Sequence, residues 1–214
     1  MARVLGIAPP EGLEWQPRYN IAPTEQVLLV RADESGQLTL ATARWGLVPA
    51  WSKGPDSRYS MFNARLEGIA SKPAFRGPIR NRRCAIAADG WYEWQTTDDG
   101  KQPYLLHTAN HAPLLLAGVW DRWRGADDGP VESCAILTTA AVGTPGDVHS
   151  RMPVVLSEAT TGAWLDPALT DAERALAFLH PAAEAVTIEA TAVSRYVNNA
   201  RNEGPRCVEP ARDQ

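Results

Sequence analysis

The stretch Asp89-Gly90-Trp91-Tyr92-Glu93-Trp94 sets one carboxylate among three aromatic rings. A buried Glu costs desolvation energy unless it is paired, hydrogen-bonded or used. In a strand, the period of two puts Trp91 and Glu93 on one face and Tyr92 and Trp94 on the other. An indole beside a carboxyl in a partly dry setting raises its pKa towards values suited to general acid–base work. A sheet-edge Glu pointing into water fits the same residues equally well. A second stretch, MFNARLEG (61–68), places Asn63 at a strand-to-helix junction. Asn is a good N-cap there, and its amide equally offers a ligand both a donor and an acceptor. Arg65, two residues on, has the fork to grip a phosphate. The third, GDVHSRMPVVL (146–156), carries His149 between Asp147 and Arg151, and His is the side chain most readily tuned for proton transfer near neutrality. His107 and His111, near a hairpin turn, and His180, before Pro181, suit surface roles. The Pro-containing turns RYNIAPTE (18–25) and RWGLVPAW (44–51) are scaffold or, through an exposed Trp51, a surface on which a base can stack.

Short β-like runs must position these groups: 26–32, 38–47, 84–94, 103–107, 114–120, 134–141, 153–156 and 186–193, separated by Gly, Asp and Pro. Asp-Gly in TTDDGKQ joins two of them, so 84–107 reads as a hairpin. Helices are fewer. TDAERALAFL opens with Thr170 as N-cap and Glu173 three residues later, Ser157 starts SEATTGAWL, and a third helix is expected at 64–71. Sequential strands with helices inserted late predict an α+β fold on an antiparallel or mixed sheet. Strict βαβ alternation and a Gly-rich phosphate loop are both absent, which disfavours a doubly wound parallel fold.

Hydrophobic content of 44% with 21% charged residues excludes disorder of the whole chain, and 214 residues suffice for a substantial core. Eight Trp, several beside polar residues, point to a cleft with aromatic walls, while use as core filler is the cheaper reading. A net charge of −4 argues against a large DNA-coating surface, whereas Arg76, Arg80, Arg82 and Arg83 crowd one segment that leaves local phosphate contacts open and, taken alone, reads as a solvated basic loop. Cys84, Cys134 and Cys207 have no CxxC spacing, and the first two lie in apolar runs, so buried thiols are expected rather than disulfides or a zinc site. No metal and no cofactor are expected. No apolar run is long enough to span a bilayer or make a signal peptide, which predicts a cytoplasmic protein without membrane contact.

Taken in order, RYNIAPTE, WGLVPAW, NARLEG, RRCAIAADGWYEW, KQPYLLH, LAGVWDRW, CAILTTAA, HSRMPVVL and VSRYVNNARNEGP resemble the SRAP (SOS response-associated peptidase) family, the abasic-site-processing proteins of bacteria and eukaryotes. The resemblance runs from about Arg18 to about Pro205. Asn-Ala-Arg, then Gly-Trp-Tyr-Glu-Trp, then His-x-Arg-x-Pro is a specific combination. It implies a single SRAP-type domain over 1–214, with a barrel-like sheet and a few flanking helices. Family members capture the aldehyde of abasic sites in single-stranded DNA with an N-terminal cysteine. Its α-amine forms a Schiff base and its thiol closes a thiazolidine, and the same cysteine underlies a proposed autoproteolytic step. By resemblance Glu93 shuttles protons, Asn63 orients amine and sugar, and His149 stabilises or protonates the sugar hydroxyl. Arg65, Thr138 and Arg151 match positions that contact the DNA backbone, and Trp51 and Pro23 match the wall where bases stack. The implied partner is single-stranded DNA containing abasic sites, met by a monomer in the DNA damage response, with lyase and peptidase-like chemistry.

The start departs from the family pattern. Position 2 is Ala2 rather than Cys, and the first strand looks missing. Either translation starts upstream at a Met-Cys, the reading favoured by the retained proton-handling residues, or the chain is a non-catalytic binder of single-stranded DNA. A cysteine peptidase built on Cys84 or Cys134 with His149 is disfavoured, because apolar surroundings oppose the thiolate.

Overall fold

The computed structural model describes residues 6–55, 61–125, 129–179 and 186–211. Five strands close into a ring: β1 (Gln26–Ala32), β2 (Leu38–Trp45), β4 (Arg83–Ala88), β7 (Leu114–Arg124) and β8 (Pro130–Ala140). They run in the order β2-β1-β4-β7-β8 by antiparallel pairing. Parallel bridges Arg44↔Ser133 and Trp45↔Cys134 close β2 onto β8. The long β8 has room for two more partners: β3 (Asn63–Arg65) in parallel and β9 (Arg151–Pro153) antiparallel. A second antiparallel sheet has the order β10 (Ile188–Ala192), β6 (Gly100–Thr108), β5 (Trp91–Thr97). The fold is α+β on a mixed sheet, as the strand pattern predicts, and the sheet is barrel-like, as the resemblance implies.

Period-two alternation builds two cores. Val27, Leu29, Cys84, Ile86, Leu116, Cys134 and Ile136 face inward, whereas Val30, Ala85, Ala117, Val119, Ala135 and Leu137 face outward. The helices that cover the outer face identify it as the outside: α1 (Pro78–Asn81), α3 (Glu158–Leu165) and α4 (Ala172–Ala177) bring Ile79, Trp164 and Leu176 onto it. A fourth helix, α2 (Thr144–Val148), stands near β9 and β10. Inside, space is short. At Gly118 a Cβ would clash with Ile86 and lie 2.9 Å from the Ala135 carbonyl. Trp91, Tyr104, Leu106 and Ile188 of the second sheet pack against this inner core. The other face of that sheet, with Tyr92 and Leu105, packs on Val193, Val197 and Cys207.

The structure corrects several sequence expectations. Residues 84–94 are not one strand: the chain breaks at Gly90, where a Cβ would lie 2.5 Å from the Leu106 carbonyl, so β4 joins the barrel and β5 the second sheet. The hairpin is β5–β6, turning at Asp98-Asp99 with Gly100 at φ 104. No helix spans 64–71; the stretch pairs with β8 and then, after Gly68 at φ 71, makes one 3-10 turn at Ile69–Ser71. Asp171, not Thr170, caps α4, by accepting from the Arg174 N–H. Ser157 caps α3 with a capping box closed by Thr160. His107 is buried rather than superficial, its ring held by the Thr108 carbonyl and the Thr191 hydroxyl and stacked on His111. His180 lies outside the described residues.

The basic cluster is also more structural than its composition suggests. Arg83 is buried, and its guanidinium donates to the carbonyls of Ile79, Arg80, Trp164 and Asp166 at 2.6–3.1 Å. It thereby joins the ends of α1 and α3, where helical carbonyls lack internal partners. Arg82 pairs with the buried Asp121. Among the described residues no helix is long and apolar enough to cross a membrane.

Candidate functional site

Glu93 sits in the middle of β5, opposite Tyr104 of β6. Trp91 on the same face enters the inner core, while Tyr92 and Trp94 on the other face bond the Tyr19 carbonyl and Asn198. The alternation predicted for this stretch is therefore present, and it leaves Glu93 half-buried. Burial pushes its carboxyl above the ordinary range, and His149 pulls it part of the way back. His149 Nδ1 lies 3.7 Å from Glu93 Oε2.

His149 follows directly on α2, in extended conformation, and its N–H donates to the Pro145 carbonyl at 3.0 Å. Its Nδ1 lies 3.2 Å from the Arg151 N–H nitrogen and 3.1 Å from the Arg151 carbonyl. A neutral ring uses Nδ1 to accept from that N–H, whereas an imidazolium donates to the carbonyl or to Glu93. Gln95, on the same face as Glu93, fastens the two elements together. Its amide donates to the Asp147 carbonyl at 2.8 Å and accepts from the Tyr104 hydroxyl at 3.3 Å. Acid and imidazole are thus held together by packing and by one amide bridge, which is the arrangement proton transfer requires.

A second grouping adjoins the first through the chain. Arg65 and Thr138 are register partners between β3 and β8. The Arg151 guanidinium donates to the Thr138 carbonyl at 2.6 Å and grips Glu67 bidentately at 2.8 and 2.9 Å. Glu67 is the residue that sequence reasoning passed over, although it stands within the quoted NARLEG. Its hydrogen bonds from Arg151 draw its carboxyl down to about 2. Three of the expected phosphate-contacting residues therefore meet here, with Arg151 already carrying an internal anion.

Asn63 opens β3 rather than capping a helix, and it is exposed on the same side as Arg65. Pro23 is exposed in a tight turn whose next residue, Thr24, has φ 82 and bonds the Trp45 carbonyl. That turn is clamped by the C-terminal segment. Asn20 donates to the carbonyls of Val197, Asn199 and Asn202, and Arg18 pairs with Glu203 and Glu25. Trp51 is 69% exposed, on a loop that also leaves from Trp45. Among the described residues no hydrogen bond or ion pair joins Asn63, Pro23 or Trp51 to Glu93 or His149. The eight Trp divide between both readings of their number: Trp164 is wholly buried filler, and Trp51 faces solvent.

All three thiols are buried. Burial raises Cys84 well above its ordinary value and Cys134 to about 12, so neither is a ready nucleophile. No group of residues able to hold a metal occurs among the described residues.

Comparison with known proteins adds an independent line. Residues 2–200 match the family described as SOS response associated peptidase (SRAP). The chain is 37% identical over 201 residues to the abasic site processing protein YoqW of Bacillus subtilis, covering 94% of this chain and 88% of that one. It is 33% identical to the abasic site processing protein HMCES of Gallus gallus, over 92% and 67% of the two chains. Among solved structures it resembles a Bordetella bronchiseptica protein with a TM-score of 0.73, at 27% identity over 90% of this chain and 94% of the other. A phage-related protein of the same organism aligns at 35% identity and a TM-score of 0.67, over 84% of each chain.

Proposed function

The chain belongs to the SOS response associated peptidase family, and from that premise we propose that it recognises and processes abasic sites in single-stranded DNA. The observation that carries this reading is the 3.7 Å approach of His149 to a half-buried Glu93 whose carboxyl is raised by burial. An abasic deoxyribose must open from its hemiacetal before its C1′ aldehyde can react, and opening needs a proton moved from O1′ to the ring oxygen. Glu93 moves that proton, and His149 holds or protonates the sugar hydroxyl. An amine then adds to C1′, and loss of water leaves a Schiff base. Asn63 orients the amine and the sugar through its amide. Arg65, Thr138 and Arg151 receive the flanking phosphates, with Arg151 exchanging Glu67 for a phosphate oxygen, and Trp51 and Pro23 form the wall on which bases rest.

The nucleophile decides how far the reaction goes. A terminal cysteine supplies amine and thiol together, and the thiol adds across the C=N bond to close a thiazolidine. In a chain that begins Met-Ala, removal of Met1 exposes an amine with a pKa near ~8, which forms a Schiff base and supports β-elimination but has no sulfur to lock it.

The test is incubation of the chain with single-stranded DNA bearing one abasic site, with and without borohydride, resolved on a denaturing gel. The proposal expects binding that depends on the abasic site and a Schiff base that borohydride traps as a covalent adduct. Equal binding of intact and abasic strands overturns it.

A further inference from the structure

The segment LAGVWDRW (116–123) has no part in the proton chemistry, yet its last residues reach the loop that carries Trp51. On β7, Asp121 and Trp123 lie two residues apart and therefore on one face. Asp121 is buried, 4% exposed. Its Oδ2 accepts the N–H of Ala50 at 2.9 Å, and its Oδ1 accepts the N–H of Arg122 at 2.8 Å and faces Arg82 Nε at 3.1 Å. The Trp123 indole N–H donates to the Ser52 carbonyl at 2.9 Å. The same ring lies under Gly54, where a Cβ would come 3.3 Å from it. The residues just before and just after Trp51 are therefore each bolted to the barrel wall. Farther back, Val48 N–H donates to the Ser133 hydroxyl at 2.8 Å, and Ser52 N–H to the Pro49 carbonyl at 2.9 Å.

This is an unusual use of a buried carboxylate. Burying Asp121 costs desolvation, offset by Arg82 and by the two backbone N–H groups that its oxygens hold in fixed positions. What it fixes is a large apolar ring held 69% in solvent. A ring exposed on a flexible loop loses affinity to the entropy of ordering loop and side chain on binding, and a ring on a pinned loop loses only the side-chain part.

We infer that Asp121 and Trp123 are positioning residues that hold Trp51 as a pre-set platform for stacking a base of single-stranded DNA. The inference rests on the reading of Trp51 given under the proposed function. It is independent of the Schiff-base chemistry, because stacking needs neither Glu93 nor a nucleophile.

The experiment is a double-mutant cycle read by fluorescence anisotropy of a labelled single-stranded oligonucleotide, at one fixed salt concentration. The proteins are the full chain and its Trp51→Ala, Asp121→Asn, Trp123→Phe and Trp51→Ala/Asp121→Asn variants. Removing the indole is expected to weaken binding by about 5- to 160-fold, the range for one stacked base. Asp121→Asn and Trp123→Phe are each expected to weaken it about 3- to 10-fold with Trp51 in place. In the Trp51→Ala background the Asp121→Asn loss is expected to vanish. A loss of the same size in both backgrounds overturns the inference, since Asp121 would then act elsewhere, and so does unchanged affinity in both Asp121→Asn and Trp123→Phe. Trp123→Phe keeps a six-membered ring but removes the N–H that holds Ser52 and part of the indole under Gly54; made also in the Trp51→Ala background, where its loss is expected to vanish, it decides the matter should Asp121→Asn fail to fold. Unchanged affinity on Trp51→Ala overturns the stacking reading itself and the inference with it. A failed adduct experiment leaves this cycle untouched.

Discussion

Arg83→Met offers a direct measure of how the barrel wall is built. The side chain donates four hydrogen bonds, at 2.6 Å to Trp164, 3.1 Å to Ile79, 2.7 Å to Arg80 and 2.6 Å to Asp166, all to carbonyls at the ends of α1 and α3. Methionine keeps the length of the stem and removes every donor. Two of the four contacts, to Trp164 and Ile79, are fully buried. A buried acceptor left without a partner costs ~1–3 kcal/mol, so those two account for roughly 2–6 kcal/mol. Removing the buried charge relieves the desolvation that lowers the Arg83 pKa and offsets part of this loss. The expected net loss is therefore about 3 kcal/mol. For a chain of this size that corresponds to a fall in Tm of about 6–12 °C. Arg83→Lys retains a charge but only three donors without the planar fork, and is expected to lose about half as much. Urea unfolding followed by Trp fluorescence, with scanning calorimetry, measures both variants. A loss within ~0.5 kcal/mol for Arg83→Met, the range of an ordinary surface change, refutes the reasoning.

Three further outcomes follow from the same structure. Gly118→Ala forces a Cβ to 2.9 Å from the Ala135 carbonyl, a backbone atom that cannot rotate away, and is expected to cost ~1–3 kcal/mol in the same unfolding assay. Cys84 and Cys134, buried and raised in pKa, are expected to resist iodoacetamide in the folded protein and to react fully in denaturant, as mass spectrometry reads. Glu93 stays partly protonated above the usual carboxyl range, so a step that takes its proton slows as pH rises through that raised pKa. Glu93→Gln is expected to erase this limb from the pH profile of borohydride-trapped Schiff base and to lower the rate by ~10²-fold or more.

Local rules made much of the fold legible. The strand from 26 to 32 has the bounds read from its short β-like run, and Ser157 caps α3 because a hydroxyl at that position bonds the next turn whatever lies around it. What failed was decided by distant partners. Residues 64–71 have helical composition, yet Asn63, Ala64 and Arg65 find a free edge on β8, and a 3-10 turn is all that remains. The break at Gly90 is set by the Leu106 carbonyl, sixteen positions on. The site divides in the same way. Alternation within one strand told which face Glu93 shares with Trp91, but nothing local indicated that His149 would meet it or that Gln95 would tie β5 to α2. Glu67 was in view and went unread because its meaning depends on Arg151, eighty-four positions away. Arg83 was misread for a similar reason: a surface cation and a buried staple are the same letter in a sequence.

The central claim is that the groups around Glu93 and His149 receive the sugar of an abasic site. It is tested most directly by a crystal structure of the chain with a single-stranded oligonucleotide carrying a tetrahydrofuran abasic analogue, which needs no nucleophile. The account predicts the sugar ring with its oxygens about 2.6–3.2 Å from Glu93 and His149, the Asn63 amide turned onto it, and a flanking base against Trp51. A sugar bound on another face, with Glu93 and His149 touching only each other, would contradict it.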